Sequence, residues 1–120
     1  MDTKLFDSER KVMEVLWEAD APLTAKEIAA RLAELVGWNK NTTYTVIKKC
    51  IDKGVIERRE PNFQCFPLVR REEAQTAAAV ELVDKVFDGS ASLLFASLLS
   101  GKQLPPEEIQ RLRALIDELE

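Results

Sequence analysis

A mainly α fold with a small β component follows from three features of the sequence. Apolar residues recur at helical spacing through most of the 120 residues, capping and glycine signals divide that length into short helices, and one stretch near residues 55–66 switches to strand-like alternation. A first helix is expected to begin at Asp7 or Ser8, both good helix caps, and to bury Val12, Val15 and Leu16 with Trp17 at the flank. Glu9, Glu14 and Glu18 fall on its other faces, and Ala21-Pro22 ends it. Thr24-Ala25-Lys26-Glu27 is a capping box in which Thr24 and Glu27 close each other's helix start. Ile28, Ala29, Leu32 and Leu35 then recur on one face until Gly37.

Asn39 caps a third helix that runs to about Lys53, with Gly54 just past its end. At 100° per residue its inner face is Thr43, Val46, Ile47, Cys50 and Ile51. Asn41, Thr45, Lys48, Lys49 and Asp52 point the other way, and Thr42 and Tyr44 flank them. Val55 to Arg59 reads as a strand, Glu60-Pro61-Asn62 as a turn, and Phe63 to Phe66 as the returning strand. Arg71 to Asp88 is helical, and Gly89-Ser90 breaks it. Ala91 to Leu99 is a Leu- and Phe-rich helix, and a last helix opens at Pro105-Pro106-Glu107-Glu108.

Composition narrows the function. No apolar run reaches the roughly 20 residues that span a bilayer, and Met1 to Phe6 lacks the pattern of a secretory leader, so membrane insertion is not expected and a cytoplasmic location is. The chain has no histidine, which removes Ser-His and Cys-His nucleophile pairs and histidine-bound zinc. Cys50 and Cys65 lack metal-ligand spacing and read as small buried hydrophobes. No enzyme activity, metal or cofactor is expected. The net charge of −4 is unevenly distributed. Residues 1–70 carry twelve basic and eleven acidic groups, residues 71–120 five and ten, and the stretch 38–60 six basic against three acidic. Nucleic acid responds to such local charge rather than to the total.

Three helices followed by a two-stranded hairpin, with a short break between the second and third helices, is the order of a winged helix-turn-helix. The third helix then enters the major groove of B-DNA, its first turns nearest the base edges. Asn41, Thr42, Tyr44 and Thr45 are the expected base-reading residues, since Asn pairs with adenine and Thr offers a hydroxyl and a methyl. Lys48, Lys49 and Lys53, with Arg58 and Arg59 of the hairpin, are the expected phosphate contacts. Alternation puts the two arginines on opposite faces of their strand.

The remaining fifty residues form three short helices that bury too little surface to be stable alone. Their apolar stripes predict a homodimer through Leu82, Val86, Leu93, Leu94, Leu98, Leu112, Leu115 and Ile116, which suits a palindromic site. The expected architecture is a winged-helix DNA-binding domain over residues 1–70 and a three-helix dimerisation region over 71–120. Two other readings stand beside it. A winged helix used as a protein-binding adaptor would need an exposed apolar patch on the third helix. A thiol-based redox sensor would need an exposed, activated cysteine.

The residues also carry a resemblance. Asp7-Ser8-Glu9, Val12-Met13, Leu16-Trp17, Leu23 to Ile28, Trp38 to Thr45, Lys53 to Ile56, Phe66 to Val69 and the Asp88-Gly89-Ser90 break, in that order, resemble the penicillinase-repressor family over essentially the whole chain. The resemblance implies a homodimeric repressor of β-lactam resistance or related stress genes, acting on double-stranded operator DNA. In several relatives a membrane sensor metalloprotease triggers cleavage inside the dimerisation region. That bond aligns with Ser97-Leu98, where the Asn-Phe pair of those relatives is not present. The cysteine cluster of copper-responsive relatives is also not present at the chain's end, Asp117-Glu118-Leu119-Glu120.

Overall fold

The computed structural model describes residues 4–119; Met1–Thr3, the start of the stretch read for a leader, and Glu120 lie outside the described residues. The chain divides into two compact units, Met1–Ala79 and Val80–Glu120. No helix among the described residues is long and apolar enough to cross a membrane.

The first unit holds α1 (Asp7–Ala19), β1 (Leu23–Thr24), α2 (Ala25–Val36), α3 (Lys40–Lys53), β2 (Ile56–Arg59) and β3 (Gln64–Pro67). Phe6, not Asp7 or Ser8, caps α1: its main-chain N–H donates to Glu9 Oε1 at 2.9 Å. A Glu in the first turn that reaches back in this way satisfies the cap without an oxygen on the cap's own side chain. At α2 the full box forms, with Thr24 N–H donating to Glu27 Oε1 (2.9 Å) and Glu27 N–H to Thr24 Oγ1 (3.1 Å). Asn39 Oδ1 accepts from Thr42 N–H at 2.8 Å to start α3. Gly37 and Gly54 end α2 and α3 at φ +73° and +87°. A Cβ at either would meet open space, so the left-handed backbone rather than crowding calls for glycine.

Beside the hairpin lies a strand that the sequence pattern does not reveal. β1 pairs antiparallel with β3 (Leu23 with Cys65, Thr24 with Gln64), giving the sheet order β1-β3-β2. Two residues are too few to show a period. The hairpin strands each begin one residue later than expected. Asn62 and Phe63 both adopt positive φ (72° and 52°), so the turn takes in Phe63 and the returning strand begins at Gln64. Alternation places Ile56 and Arg58, with Cys65 opposite Arg58, on one face of the sheet, and Glu57, Arg59 and Phe66 on the other.

The core lies between α1, α2, α3 and the inner face of the sheet, built on Met13, Leu16, Ile28, Leu32, Ile47, Val55 and Ile56. The stripe of α2 stops at Leu32, and Leu35 is 70% exposed rather than buried. Glu9, placed on a solvent face by its position in the helical wheel, is buried to 3% exposure. The unit continues past residue 70 because the next helix is tied to α1. Trp17 Nε1 donates to the Val69 carbonyl (2.9 Å), and the Arg71 guanidinium reaches Glu14 (2.9 Å) and Glu18 (3.2 Å) beside the Trp17 ring.

Three further helices follow: α4 (Arg71–Val86), which leads from the first unit into the second, then α5 (Ala91–Ser100) and α6 (Pro106–Glu118). Ser90 caps α5 by accepting from Leu93 N–H at 3.1 Å, and Pro106 opens α6. None of the three helices contains a buried residue.

One core position is chemically mismatched. Thr43 is fully buried, and its Oγ1 has no hydrogen-bond partner. An unsatisfied buried hydroxyl is unfavourable, and a methyl of the same shape removes the mismatch. Thr43→Val is expected to raise stability by about 1 kcal/mol. A urea titration checks this as a higher midpoint at unchanged slope.

Candidate nucleic-acid interface

The two faces of α3 have opposite characters. Thr43, Val46, Ile47 and Cys50 are buried, while Asn41, Thr42, Thr45, Lys48, Lys49 and Asp52 are exposed. Packing against α1 and α2 holds the inner face, so the outer one is presented on a rigid support. Gly37 and Asn39 set the short turn that brings α2 to α3. The helix macrodipole adds partial positive charge at the N-terminal end, and its first turn carries no acidic residue.

The individual groups differ in what they offer. Among the described residues the Asn41 side chain has no hydrogen-bond partner, which leaves its amide donors and acceptor for another molecule. The Thr45 hydroxyl donates to the Asn41 carbonyl at 2.9 Å, which leaves its methyl and its oxygen lone pairs outward. Tyr44 is half-buried and meets the Phe63 ring edge-on at 6.0 Å, so it belongs partly to the joint between helix and hairpin. Lys40 Nζ lies 5.6 Å from the Tyr44 ring, a cation at the start of the helix that the wheel alone does not single out. Lys48 and Lys49 are exposed one turn further along.

Lys53 is placed differently from the role expected of it. Its ammonium is largely buried, pairs with Glu9, donates to the Lys4 carbonyl (2.8 Å) and sits 4.6 Å from the Phe6 ring. Those partners occupy its donors, and it is not among the cations facing solvent. The sequence conceals this because Glu9 lies 44 residues away.

The two hairpin arginines separate as alternation requires. Arg58 stacks on the Phe63 ring (3.6 Å) and pairs with Glu60. It lines a groove of about 490 Å³ with Tyr44, Thr45, Lys48, Ile51, Asp52 and Phe63, next to the exposed face of α3. Arg59 stacks on Phe66 (3.9 Å) and pairs with Glu57 at 3.1 Å on the other face. Residues far apart in sequence thus meet at the groove, and the aromatic platforms that hold the arginines are the signal that a strand pattern alone does not show.

The apolar residues expected at a dimer interface are exposed or only half-buried in the single chain. Leu82, Val86, Leu93, Leu115 and Ile116 are exposed, Val86 by 63% and Ile116 by 60%. Leu94, Leu98 and Leu112 are half-buried. Within the second unit, Phe95, Leu99, Leu104, Ile109, Leu112 and Ile116 help to line an apolar groove of about 420 Å³.

A helix with a buried back and a polar front, set one short turn after α2 and flanked by a stacked hairpin, defines a winged helix-turn-helix protein. The penicillinase repressor family matches residues 5–118, and the chain belongs to that family. Among its relatives is the methicillin resistance regulatory protein MecI of Staphylococcus aureus (strain N315), 25% identical over 122 residues that cover 98% of each chain. MecI of Mammaliicoccus sciuri matches to the same extent. The penicillinase repressor of Bacillus licheniformis is 21% identical over 117 residues, covering 96% of this chain and 91% of its own.

Both cysteines are buried, so neither has the accessible setting of a reactive thiol. Burial pushes the Cys50 thiol up to about 12, with the Glu9 carboxylate adding to the effect, and burial pushes Cys65 up to about 11. At pH 8 both are therefore protonated in the folded chain. A disulfide-exchange reagent is expected to leave both thiols unmodified over minutes at pH 8 and to titrate two per chain once the protein is unfolded in urea. Rapid native reaction at Cys50 would reinstate thiol sensing.

Proposed function

We propose that the chain is a homodimeric transcriptional repressor that binds a palindromic operator in double-stranded DNA and controls β-lactam resistance or a related stress response. The observation that carries this reading is the exposed face of α3, where an Asn, two Thr and two Lys stand on a buried scaffold. That face is the size and shape of a major-groove reader. The adaptor alternative has little to bind, because the outward face of α3 exposes no large apolar side chain. Membership in the penicillinase repressor family supports both the repression and the resistance setting.

The dimer rests on α4, α5 and α6, which bury none of their residues in a single chain. Helices with exposed apolar stripes lack the apolar burial that offsets ordering unless a second surface covers them. Leu82, Val86, Leu93, Leu94, Leu98, Leu112, Leu115 and Ile116 form that surface in this reading, and the two-fold axis it creates matches a palindrome. In several relatives induction runs through a membrane sensor metalloprotease, and the resemblance implies the same route here. For cleavage at Ser97-Leu98, α5 would first have to unwind, since that bond lies inside Ala91–Ser100 and proteases favour exposed loop backbone.

Two experiments test the reading. Leu93→Glu and Ile116→Glu put a charge where the lone chain is exposed and the dimer is dry. Each is expected to sediment as a monomer at micromolar concentration while the original chain sediments as a dimer; a monomeric original chain overturns the assembly.

The second experiment separates sequence reading from phosphate holding. Asn41→Ala and Thr45→Ala are expected to narrow the gap between operator and scrambled duplex by about 1–3 kcal/mol per lost base contact. Lys48→Ala and Lys49→Ala are expected to weaken both duplexes together and to lower the salt slope by about one per lysine per subunit. Binding isotherms at several salt concentrations distinguish the two patterns. If none of the four changes alters binding, α3 is not the reading helix.

A further inference from the structure

The hairpin carries two arginines yet presents almost no free positive charge. Glu60 binds the Arg58 Nε, and its other oxygen accepts from the Phe63 main-chain N–H at 3.4 Å. Glu57 binds Arg59 on the opposite face. Each guanidinium is also fixed in place by stacking on an aromatic ring, Phe63 under Arg58 and Phe66 under Arg59.

The Arg58 arrangement has the chemistry of an occupied anion site. A guanidinium together with a backbone N–H is the donor set that proteins use for DNA phosphate oxygens. The site borders the groove shared with Tyr44, Thr45 and Lys48, on the side where the α3 lysines stand. Here the oxygens come from the chain itself. Arg58 and the Phe63 N–H also hold the Glu60 carboxyl below the usual carboxylate range, which favours the ionised form that pairs with the guanidinium. The pair is half-exposed, so a competing anion has access to it without unfolding.

We propose that Glu60 is an internal counter-anion seated at the wing's phosphate site, which holds down the chain's sequence-independent affinity for DNA. This rests on the DNA-binding reading above. While the carboxylate stays, a phosphate gains Arg58 only by displacing it, and the net charge of the site does not change in the chain's favour. With the carboxylate gone, Arg58 remains stacked on Phe63 beside α3 and contributes one new phosphate contact per subunit.

The test is a two-residue cycle with four proteins: the original chain, Glu60→Gln, Arg58→Ala and the double variant. Each is titrated with an operator duplex and a scrambled duplex between low and moderate salt. Glu60→Gln is expected to bind both duplexes roughly tenfold more tightly at low salt, with a salt slope steeper by about two for the dimer. Arg58→Ala alone is expected to weaken both duplexes, because it leaves the Glu60 carboxylate uncompensated beside the phosphates, and the double variant to return to the affinity and slope of the original chain. Thermal melting of the four proteins checks that these exposed changes leave the fold intact.

An unchanged slope in Glu60→Gln, or a double variant whose slope falls about one unit per subunit below that of the original chain, overturns the proposal, because Arg58 would then never reach phosphate or would already hold it. If the original chain binds neither duplex at any salt, the DNA-binding reading itself fails, and that outcome differs from both.

Discussion

A single buried carboxylate joins the start of the first unit to the end of its exposed helix. Glu9 accepts the Phe6 N–H that opens α1 and binds the ammonium of Lys53 in the last turn of α3. Lys53 in turn reaches the Lys4 carbonyl and lies over the Phe6 ring, so four groups converge at one point. Either charge left alone there would be costly, since an unpaired buried ion destabilises by several kcal/mol. The two must therefore be present together, which fixes where α3 ends and, through Gly54, where the hairpin begins.

The orientation of the outward face of α3 follows from that anchoring together with the core. Val46, Ile47 and Cys50 pack inward, and the 3.6-residue period then dictates that Asn41, Thr45 and Lys48 face out. The hairpin is held along its β3 edge. β1 pairs with β3 from one side, and Ala25 N–H donates to the Phe63 carbonyl at 2.9 Å. Phe63 also meets Tyr44, so the turn of the hairpin and the second turn of α3 are positioned by one aromatic joint. Rigid support of this kind lets a few polar side chains discriminate between partners without reorganising.

Local physics was legible in the sequence and distant pairing was not. The Thr24–Glu27 box, the Asn39 cap and the glycine stops at Gly37 and Gly54 each depend on residues within four positions, and each stands where its signature placed it. The two faces of α3 were legible for the same reason. β1 was hidden because its partner lies about forty residues away and two residues show no alternation. Glu9 read as a surface charge and Lys53 as a phosphate contact because burial of a carboxylate depends on finding its cation, 44 residues on. Leu35 continued the apolar period of α2 although nothing covers it, since periodicity records where a face points but not where the neighbouring helix stops. In the hairpin, spacing assigned Arg58 and Arg59 to opposite faces, but their carboxylate partners and ring platforms emerge only with the turn geometry at Asn62 and Phe63.

The placement of the aromatic chromophores has an optical consequence. The sequence contains two tryptophans and one tyrosine, at positions 17, 38 and 44, all in the first unit. Trp17 is sensitive to its surroundings because its indole donates to the Val69 carbonyl beside the Arg71 guanidinium. Val80–Glu120 has neither residue type and is dark to near-ultraviolet excitation apart from weak phenylalanine emission. Intrinsic fluorescence therefore follows only the first unit, whereas far-ultraviolet dichroism sums over the helices of both. Melting curves from the two methods coincide only if the whole chain unfolds as one cooperative block. Any gap between them is a direct reading of how independently the last forty residues come apart.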